Sequence, residues 1–211
     1  MRGLLVLNGE IEDLNKLKEM GSQVDYILSG DGGTDYCIKA GLIPDLVIGD
    51  LDSISEDSLN VIRDNNIPIE KFPIKKDKTD SELAVDYMID KGIKEITLIG
   101  AIGSRMDHTL ANLLLLNKMM ERGVKGKIVN ENNTVYMVDD KIVLPKIEGY
   151  YVSVIPVDLS GLVVSLKGFE YELDNVKIEF ASTHGISNRI TEGEGHVIVH
   201  KGKCFVIVSR E

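Results

Sequence analysis

Aspartates recur in four short stretches of this chain, each beside glycines or lysines. They are Ser29-Gly30-Asp31-Gly32-Gly33, Gly49-Asp50-Leu51-Asp52-Ser53, Lys75-Lys76-Asp77-Lys78-Thr79-Asp80 and Gly100-Ala101-Ile102-Gly103-Ser104-Arg105-Met106-Asp107-His108. Grouped carboxylates repel and raise one another's pKa, so such a cluster is costly without a cation. A hard divalent ion removes that cost, and Mg2+ takes oxygen ligands while keeping waters and substrate phosphates. Asp50 and Asp52 stand two residues apart in a loop opened by glycine, close enough for both to reach one ion. Asp77 and Asp80 flank the start of the next helix. Each aspartate alone has a plainer role as an N-cap or turn residue. The coincidence of four is what points to metal-assisted chemistry.

The neighbouring residues suit an anion. Gly32-Gly33 and the pair Gly100 and Gly103 let backbone N–H groups approach an anion at a helix N-terminus. Arg105 can grip a phosphate through two N–H groups, and Lys75, Lys76 and Lys78 add positive charge beside the acids. Each signal is weak alone, since a lysine run is usually a solvated face. The chain has neither a Gly-x-x-x-x-Gly-Lys-Ser/Thr loop nor a His-Arg-Asp signature, so the common nucleotide-enzyme classes are excluded. It also lacks a Gly-x-Ser-x-Gly elbow, and Cys37 falls inside a predicted helix, which argues against acyl transfer. For His108, one position into a helix beside Asp107, capping, packing and catalysis all remain open. His184, His196 and His200 show no metal-like spacing and read as structural.

These loops need elements to hold them. Up to about residue 130, short apolar runs alternate with helical patterns. Strands are predicted at 4–7, 26–28, 46–48, 69–72, 96–99 and 127–129. A helix face formed by Ile11, Leu14, Leu17 and Met20 follows the first, with helices at 34–39, 55–64, 80–90 and 107–121 after the others. Thr79-Asp80-Ser81-Glu82 reads as a capping box. Such alternation predicts a mostly parallel sheet flanked by helices, an α/β fold. Ligands in that fold bind beyond the carboxyl ends of the strands, where all four acidic loops fall.

After about residue 134 the helical period disappears. Runs rich in β-branched residues at 150–157, 162–166, 176–180, 196–200 and 204–209 predict a small all-β sandwich. The segment 196–208, broken by Lys201-Gly202, reads as a tight hairpin. The expected domains are therefore residues 1–133, α/β, and 134–211, β-sandwich.

Composition narrows the function classes. With 34 acidic against 24 basic residues the net charge is −10, which argues against nucleic-acid binding. No apolar run approaches the ~20 residues that span a bilayer, and the apolar stretch near Met1 is too short for a signal peptide. Cys37 and Cys204 lie far apart without metal-type spacing and are expected to be buried thiols in a reducing compartment. A cytoplasmic protein is the expectation.

Taken together, Asp31-Gly32-Gly33, Gly49-Asp50-Leu51-Asp52-Ser53, Asp77-Lys78-Thr79-Asp80-Ser81-Glu82 and the run from Gly100 through Arg105, Asp107 and His108 to Asn112 resemble the thiamine pyrophosphokinase family. In the β-rich part, Leu166-Lys167-Gly168-Phe169-Glu170-Tyr171-Glu172-Leu173 and Gly185-Ile186-Ser187-Asn188 are similar to that family's thiamine-binding segments. The resemblance implies Mg2+-dependent transfer of a pyrophosphoryl group from ATP to the hydroxyl of thiamine, giving thiamine diphosphate and AMP. It implies a homodimer whose active sites are shared between subunits. By motif, Asp50, Asp52 and Asp80 would hold Mg2+, with Asp77 and Asp107 in the same catalytic group. Asp31, Gly32, Gly33, Thr79, Gly103, Arg105, His108 and Asn112 would bind the nucleotide, and Phe169, Tyr171, Ser187 and Asn188 would bind thiamine. The chain has no tryptophan, so Phe169 and Tyr171 are the candidates to stack on thiamine. Two other readings fit the acidic loops: another metal-dependent nucleotide hydrolase or kinase, and a non-catalytic sensor of thiamine or nucleotide.

Overall fold

The computed structural model describes residues 1–71 and 77–211. Phe72, Lys75 and Lys76 from the sequence reading lie outside the described residues. The chain forms two compact units, Met1–Glu131 and Asn132–Glu211.

The first unit runs β1 (Arg2–Val6), α1 (Leu14–Ser22), β2 (Tyr26–Gly30), α2 (Gly33–Lys39), β3 (Leu46–Ile48), α3 (Glu56–Asp64) and β4 (Ile69–Glu70). It continues with α4 (Asp80–Asp90), β5 (Glu95–Ile99), α5 (Met106–Glu121) and β6 (Lys125–Val129). Its strands lie in the order β4-β3-β2-β1-β5-β6, every neighbouring pair parallel. Helices cover both faces of such a sheet, so central strands read as unbroken apolar runs. Leu4, Leu5, Val6, Leu28, Val47 and Ile48 are accordingly fully buried. Helix starts follow the sequence signals: Asp13 caps α1, Ser55 caps α3, and the Thr79 hydroxyl accepts from Glu82 N at 3.2 Å to cap α4. Only half of the capping box forms, because the Glu82 carboxylate turns instead to Lys118 at 2.9 Å. Ile11 precedes α1 but joins its buried cluster with Leu4, Val6, Leu17 and Cys37. Burial pushes the Cys37 thiol up to about 12, as an inert core cysteine requires.

The chain steps from β1 outward through β2, β3 and β4, then returns to the other side of β1 with β5 and β6. The reversal opens a crevice between the carboxyl ends of β1 and β5. Both strand exits are joined there: Gly9 N donates to Gly100 O at 2.8 Å, and Glu10 N donates to Ile102 O at 3.3 Å. A Cβ at Gly9 would lie 2.4 Å from Gly100 O, so only glycine lets the two backbones approach this closely.

The second unit comprises β7 (Asn133–Val138), β8 (Lys141–Pro145), β9 (Tyr151–Pro156), β10 (Leu162–Lys167), β11 (Leu173–Ile178), β12 (Glu194–Lys201) and β13 (Cys204–Ser209). β13 pairs antiparallel with β7 and β9, while β10 and β12 pair with each other and with β11 and β8 respectively. Both antiparallel groups supply one core that includes Val154, Val164, Leu166, Val197 and Val206. The sequence reading had not resolved β7 and β8. It also joined β12 to β13 as a hairpin, and the structure corrects this. Both edges of β13 are occupied by β7 and β9, so β12 lies in the other sheet. The turn at Gly202, with φ +88°, is a corner between sheets. Period-two alternation shows that a strand has one buried face, but not which sheet it joins.

Helices α4 and α5 are tied by charge. Lys118 on α5 binds Glu82 and Asp86, and Lys78 Nζ reaches Asp86 Oδ2 at 2.8 Å. Burial works to raise the Asp86 pKa, but hydrogen bonds from Lys118 and Lys78 outweigh it and hold the carboxyl below the usual carboxylate range. Stabilisation by a depressed carboxyl is complete above its unfolded pKa of about 4 and fades as the pH falls through the lowered value. Asp86→Asn should therefore lower urea resistance at pH 7, and its difference from the parent protein should shrink as the pH is taken below about 4. Gly9→Ala should lower the melting midpoint by about 4–8 °C, from roughly 2 kcal/mol of overpacking, as read by calorimetry.

Candidate active site

The exits of β1, β2, β3 and β5 gather at one end of the parallel sheet. The Asn8 side chain packs on Gly32, where a Cβ would lie 2.1 Å from its Oδ1. Gly33 lies against the Val6 carbonyl and Gly103 against Gly9. Asp31, in the left-handed region at φ +34°, sets its carboxylate on Gly49, where a Cβ would lie only 1.7 Å away. Its Oδ1 also accepts from Leu51 N at 3.4 Å. Asp31, Gly32, Gly33, Asp50, Asp52 and Gly103 thus belong to connected loops. Asn8 and Gly9 belong with them, although no motif in the sequence reading included them. The Asn-Gly dipeptide leaving the first apolar strand was the available signal.

α2 begins at Gly33 and α5 at Met106, and neither has a side-chain cap. By contrast, α1, α3 and α4 are capped by Asp13, Ser55 and Thr79. The first turn of α2 is closed by backbone, with Thr34 N donating to Asp31 O at 2.9 Å and Asp35 N to Gly32 O at 3.2 Å, whereas the sixteen-residue α5 has the more open start, which its dipole makes favourable to an anion. Asp50 and Asp52 are exposed, and Asp50 Oδ1 accepts from Asp52 N at 3.1 Å. Asp77, Thr79 and Asp80 lead into α4 beyond the edge strand β4. Among the described residues, no three His, Cys, Asp or Glu side chains are grouped closely enough to hold a metal. Asp50, Asp52 and Asp80 therefore do not form a closed carboxylate cage here.

Several expected ligand contacts are replaced by contacts within the protein. The buried Asn112 amide donates to Ala101 O at 2.8 Å, which spends it on the loop after β5. Thr109 Oγ1 supports the same loop, accepting from Gly103 N at 3.3 Å. Lys78 is paired with Asp86. Arg105 grips Asp107 through two bonds, Nε to Oδ1 at 3.2 Å and Nη2 to Oδ2 at 2.6 Å. The Arg105 hydrogen bonds, with a backbone bond from His108, bring Asp107 down to about 2. A carboxylate that acidic is a poor proton acceptor. His108 is exposed on the first turn of α5.

In the second unit, Phe169 is 3% exposed and part of the core, which removes it as a stacking surface. Tyr171 is 66% exposed and can offer its ring. The buried Asn188 amide donates to Tyr171 O at 2.8 Å, and its Oδ1 accepts from Tyr171 N at 3.1 Å. Asn188 thus fixes the backbone that carries Tyr171, which leaves its own amide committed. Ser187 is exposed at φ +60°, and its N donates to Ser153 Oγ at 3.0 Å. His196 meets Glu194 at 3.0 Å and His200 meets Ser165 at 2.8 Å, both structural contacts. A depression of about 480 Å3 beside α4 and α5 is lined by Lys78, Asp86, Lys118 and Arg122 among others, and these charges pair internally.

Comparison with known proteins identifies the family. The family model for the thiamin pyrophosphokinase catalytic domain matches residues 17–128, and that for its vitamin B1 binding domain matches 139–204. A thiamine pyrophosphokinase of Bacillus subtilis is 32% identical over 183 residues, covering 86% of each chain. The crystal structure of thiamine pyrophosphokinase from Bacillus subtilis superposes with a TM-score of 0.89 at 29% identity over the full length of both chains. That of thiamin pyrophosphokinase from Geobacillus thermodenitrificans gives 0.86 at 28% identity, covering 100% of this chain and 98% of the other. With both family models spanning most of its length, the chain belongs to the thiamine pyrophosphokinase family and is a thiamine diphosphokinase.

Proposed function

We propose that the chain transfers the β,γ-pyrophosphoryl group of ATP to the hydroxyl of thiamine, with residues 1–133 handling nucleotide and Mg2+ and residues 134–211 handling thiamine. The observation that carries this reading is that the exposed carboxylates of Asp50 and Asp52 leave the β3 exit at the same end of the parallel sheet as the start of α5, which has no side-chain cap. Phosphate oxygens suit the N–H groups, and a divalent cation suits the carboxylates. Mg2+ is commonly held by one or two carboxylates plus substrate phosphates, so this open pair fits it without a third protein ligand. When bound, the ion neutralises charge on the phosphates during transfer.

The remaining work falls to the chain's own residues. Backbone groups of Gly32 and Gly33 face phosphate, Gly103 shapes the loop before α5 through its bond to Thr109, and Arg105 exchanges Asp107 for a phosphate oxygen. The thiamine hydroxyl oxygen bonds to the β-phosphorus, the bond from that phosphorus to the α,β-bridging oxygen breaks, and AMP leaves with the bridging oxygen. Asp77 is assigned as the acceptor of the hydroxyl proton, with Asp107, released when Arg105 turns to phosphate, as the other candidate. The exposed Tyr171 ring offers a face to the cationic thiazolium. Ser187 lies on the same unit, near the Asn188 that fixes Tyr171.

Assembly as a homodimer is part of this reading. Met106, Leu110 and Leu114, one turn apart on α5, each stay more than half exposed, a stripe suited to burial by a second subunit. Among the described residues no helix is long and apolar enough to cross a membrane, and a cytoplasmic setting is proposed with the rest.

Product analysis with ATP, Mg2+ and thiamine tests the reaction: AMP and thiamine diphosphate should appear one for one, whereas ADP or free phosphate would favour another kinase or a hydrolase. Asp50→Asn should lower kcat by about a hundredfold or more with an unchanged melting curve, because the residue is exposed and its loss removes charge stabilisation only in the loaded enzyme. Tyr171→Ala should raise the KM for thiamine by about five- to tenfold and leave that for ATP unchanged in steady-state assays.

A further inference from the structure

The loop between β3 and α3 leaves the sheet in an unfavourable conformation. Gly49 has φ +140° and Leu51 has φ +72°, and a leucine in the left-handed region is strained and persists only where its surroundings impose it. Three features hold the loop. Asp31 Oδ1 accepts from Leu51 N at 3.4 Å near its start. Ile54 is buried with Val47, Ile62 and Ile67. At the far end, Asp35 on the first turn of α2 grips Ser55. Its Oδ1 and Oδ2 lie 3.2 and 3.3 Å from Ser55 N, and Oδ1 accepts the Ser55 hydroxyl at 2.9 Å.

We propose that Asp35 is a positioning residue for the reaction: by clamping Ser55 it holds the loop that carries Asp50 and Asp52 against the first turn of α2. This rests on the reading that Asp50 and Asp52 take the divalent cation. The geometry is that of an outer-shell support, in which a ligand-bearing segment is oriented by hydrogen bonds from a residue that does not touch the metal. Asp35 is the third residue of α2, so the clamp ties the acidic loop directly to the helix that follows β2. The Asp31 contact, at 3.4 Å, is longer than any of the three Asp35 bonds. Ser55 is therefore the firmer of the two polar anchors. Ser55 also caps α3 through a 3.3 Å bond to Ser58 N, which makes the clamped point part of a helix. Burial works to raise the Asp35 pKa, while hydrogen bonds from Ser58 and Ser55 and the charge of Lys39 outweigh it, so the carboxylate stays ionised.

The test measures Mn2+ binding to the free protein by electron paramagnetic resonance, together with the Mg2+ requirement and the thiamine KM in the assay. Asp35→Ala should weaken Mn2+ binding by about tenfold and raise the half-saturating Mg2+ similarly, with the thiamine KM within about twofold. Asp35→Asn retains an acceptor and should restore Mn2+ affinity to within about threefold of the parent. Ser55→Gly keeps the backbone N–H and a tolerated cap, so it should fold and fall between them even if Asp35→Ala does not. Unchanged Mn2+ affinity in Asp35→Ala and Ser55→Gly would overturn the proposal, as would an Asp35→Asn protein no better than Asp35→Ala. A purely structural role would lower the melting midpoint and raise the thiamine KM in step with Mn2+ loss, and that pattern also overturns it. Asp50→Asn in the same titration separates the two readings. If it binds Mn2+ like the parent, the metal assignment has failed and the positioning role falls with it; if it loses Mn2+ while Asp35→Ala does not, only the positioning role has failed.

Discussion

The close approach of two strand exits, β1 at Gly9 and β5 at Gly100, is the constraint on which the site depends. The sheet reverses its winding between these strands, and in open α/β sheets ligands bind outside the carboxyl ends at such a point. The 2.8 Å bond from Gly9 N to Gly100 O keeps the crevice floor as backbone. Side chains there would force the floor apart, since a Cβ at Gly9 or Gly100 would meet a carbonyl oxygen within 2.4 Å. The glycines on the neighbouring exit act similarly, Gly33 against Val6 and Gly32 against Asn8. In the proposed reading, phosphate binding by backbone N–H groups uses this bare surface.

Helix capping divides the molecule by purpose. α1, α3 and α4 end their orphan N–H groups on Asp13, Ser55 and Thr79, as a helix with no ligand should. α2 and α5 begin at the β2 and β5 exits without such a side chain. The α2 turn is closed by backbone bonds from Thr34 N and Asp35 N, and in the proposed reading the substrate supplies the missing acceptors at α5. The Arg105–Asp107 pair fits the same logic, since it stores a guanidinium at the α5 start in a partnered form until phosphate arrives.

Much of the polar chemistry near the site supports loops. Asn112 and Thr109 hold the turn after β5, Asp35 holds the loop after β3, and Asn188 holds the segment carrying Tyr171. Each is an amide, hydroxyl or carboxylate spent on backbone, which is where buried or half-buried polar groups usually go. Loops at the ends of strands have few neighbours of their own, so such bonds replace the packing that would hold a helix.

The sequence by itself determined the parallel α/β unit, the β-rich unit, the bounds of α4 and most loops that could hold an anion or a cation. Strand runs, capping residues and glycines act over a few neighbours, so their meaning is local and survives without coordinates. Three decisions belonged to the tertiary structure. β12 and β13 went to different sheets, because alternation names a buried face but not a partner. Phe169 went into the core while Tyr171 stayed out, although both looked equally available in one short segment. Asn112 and Asn188 were committed to backbone partners, Ala101 and Tyr171, 11 and 17 residues away in the chain. Whether a polar side chain faces a ligand or its own fold depends on atoms brought close by folding, and no spacing in the sequence encodes those distances.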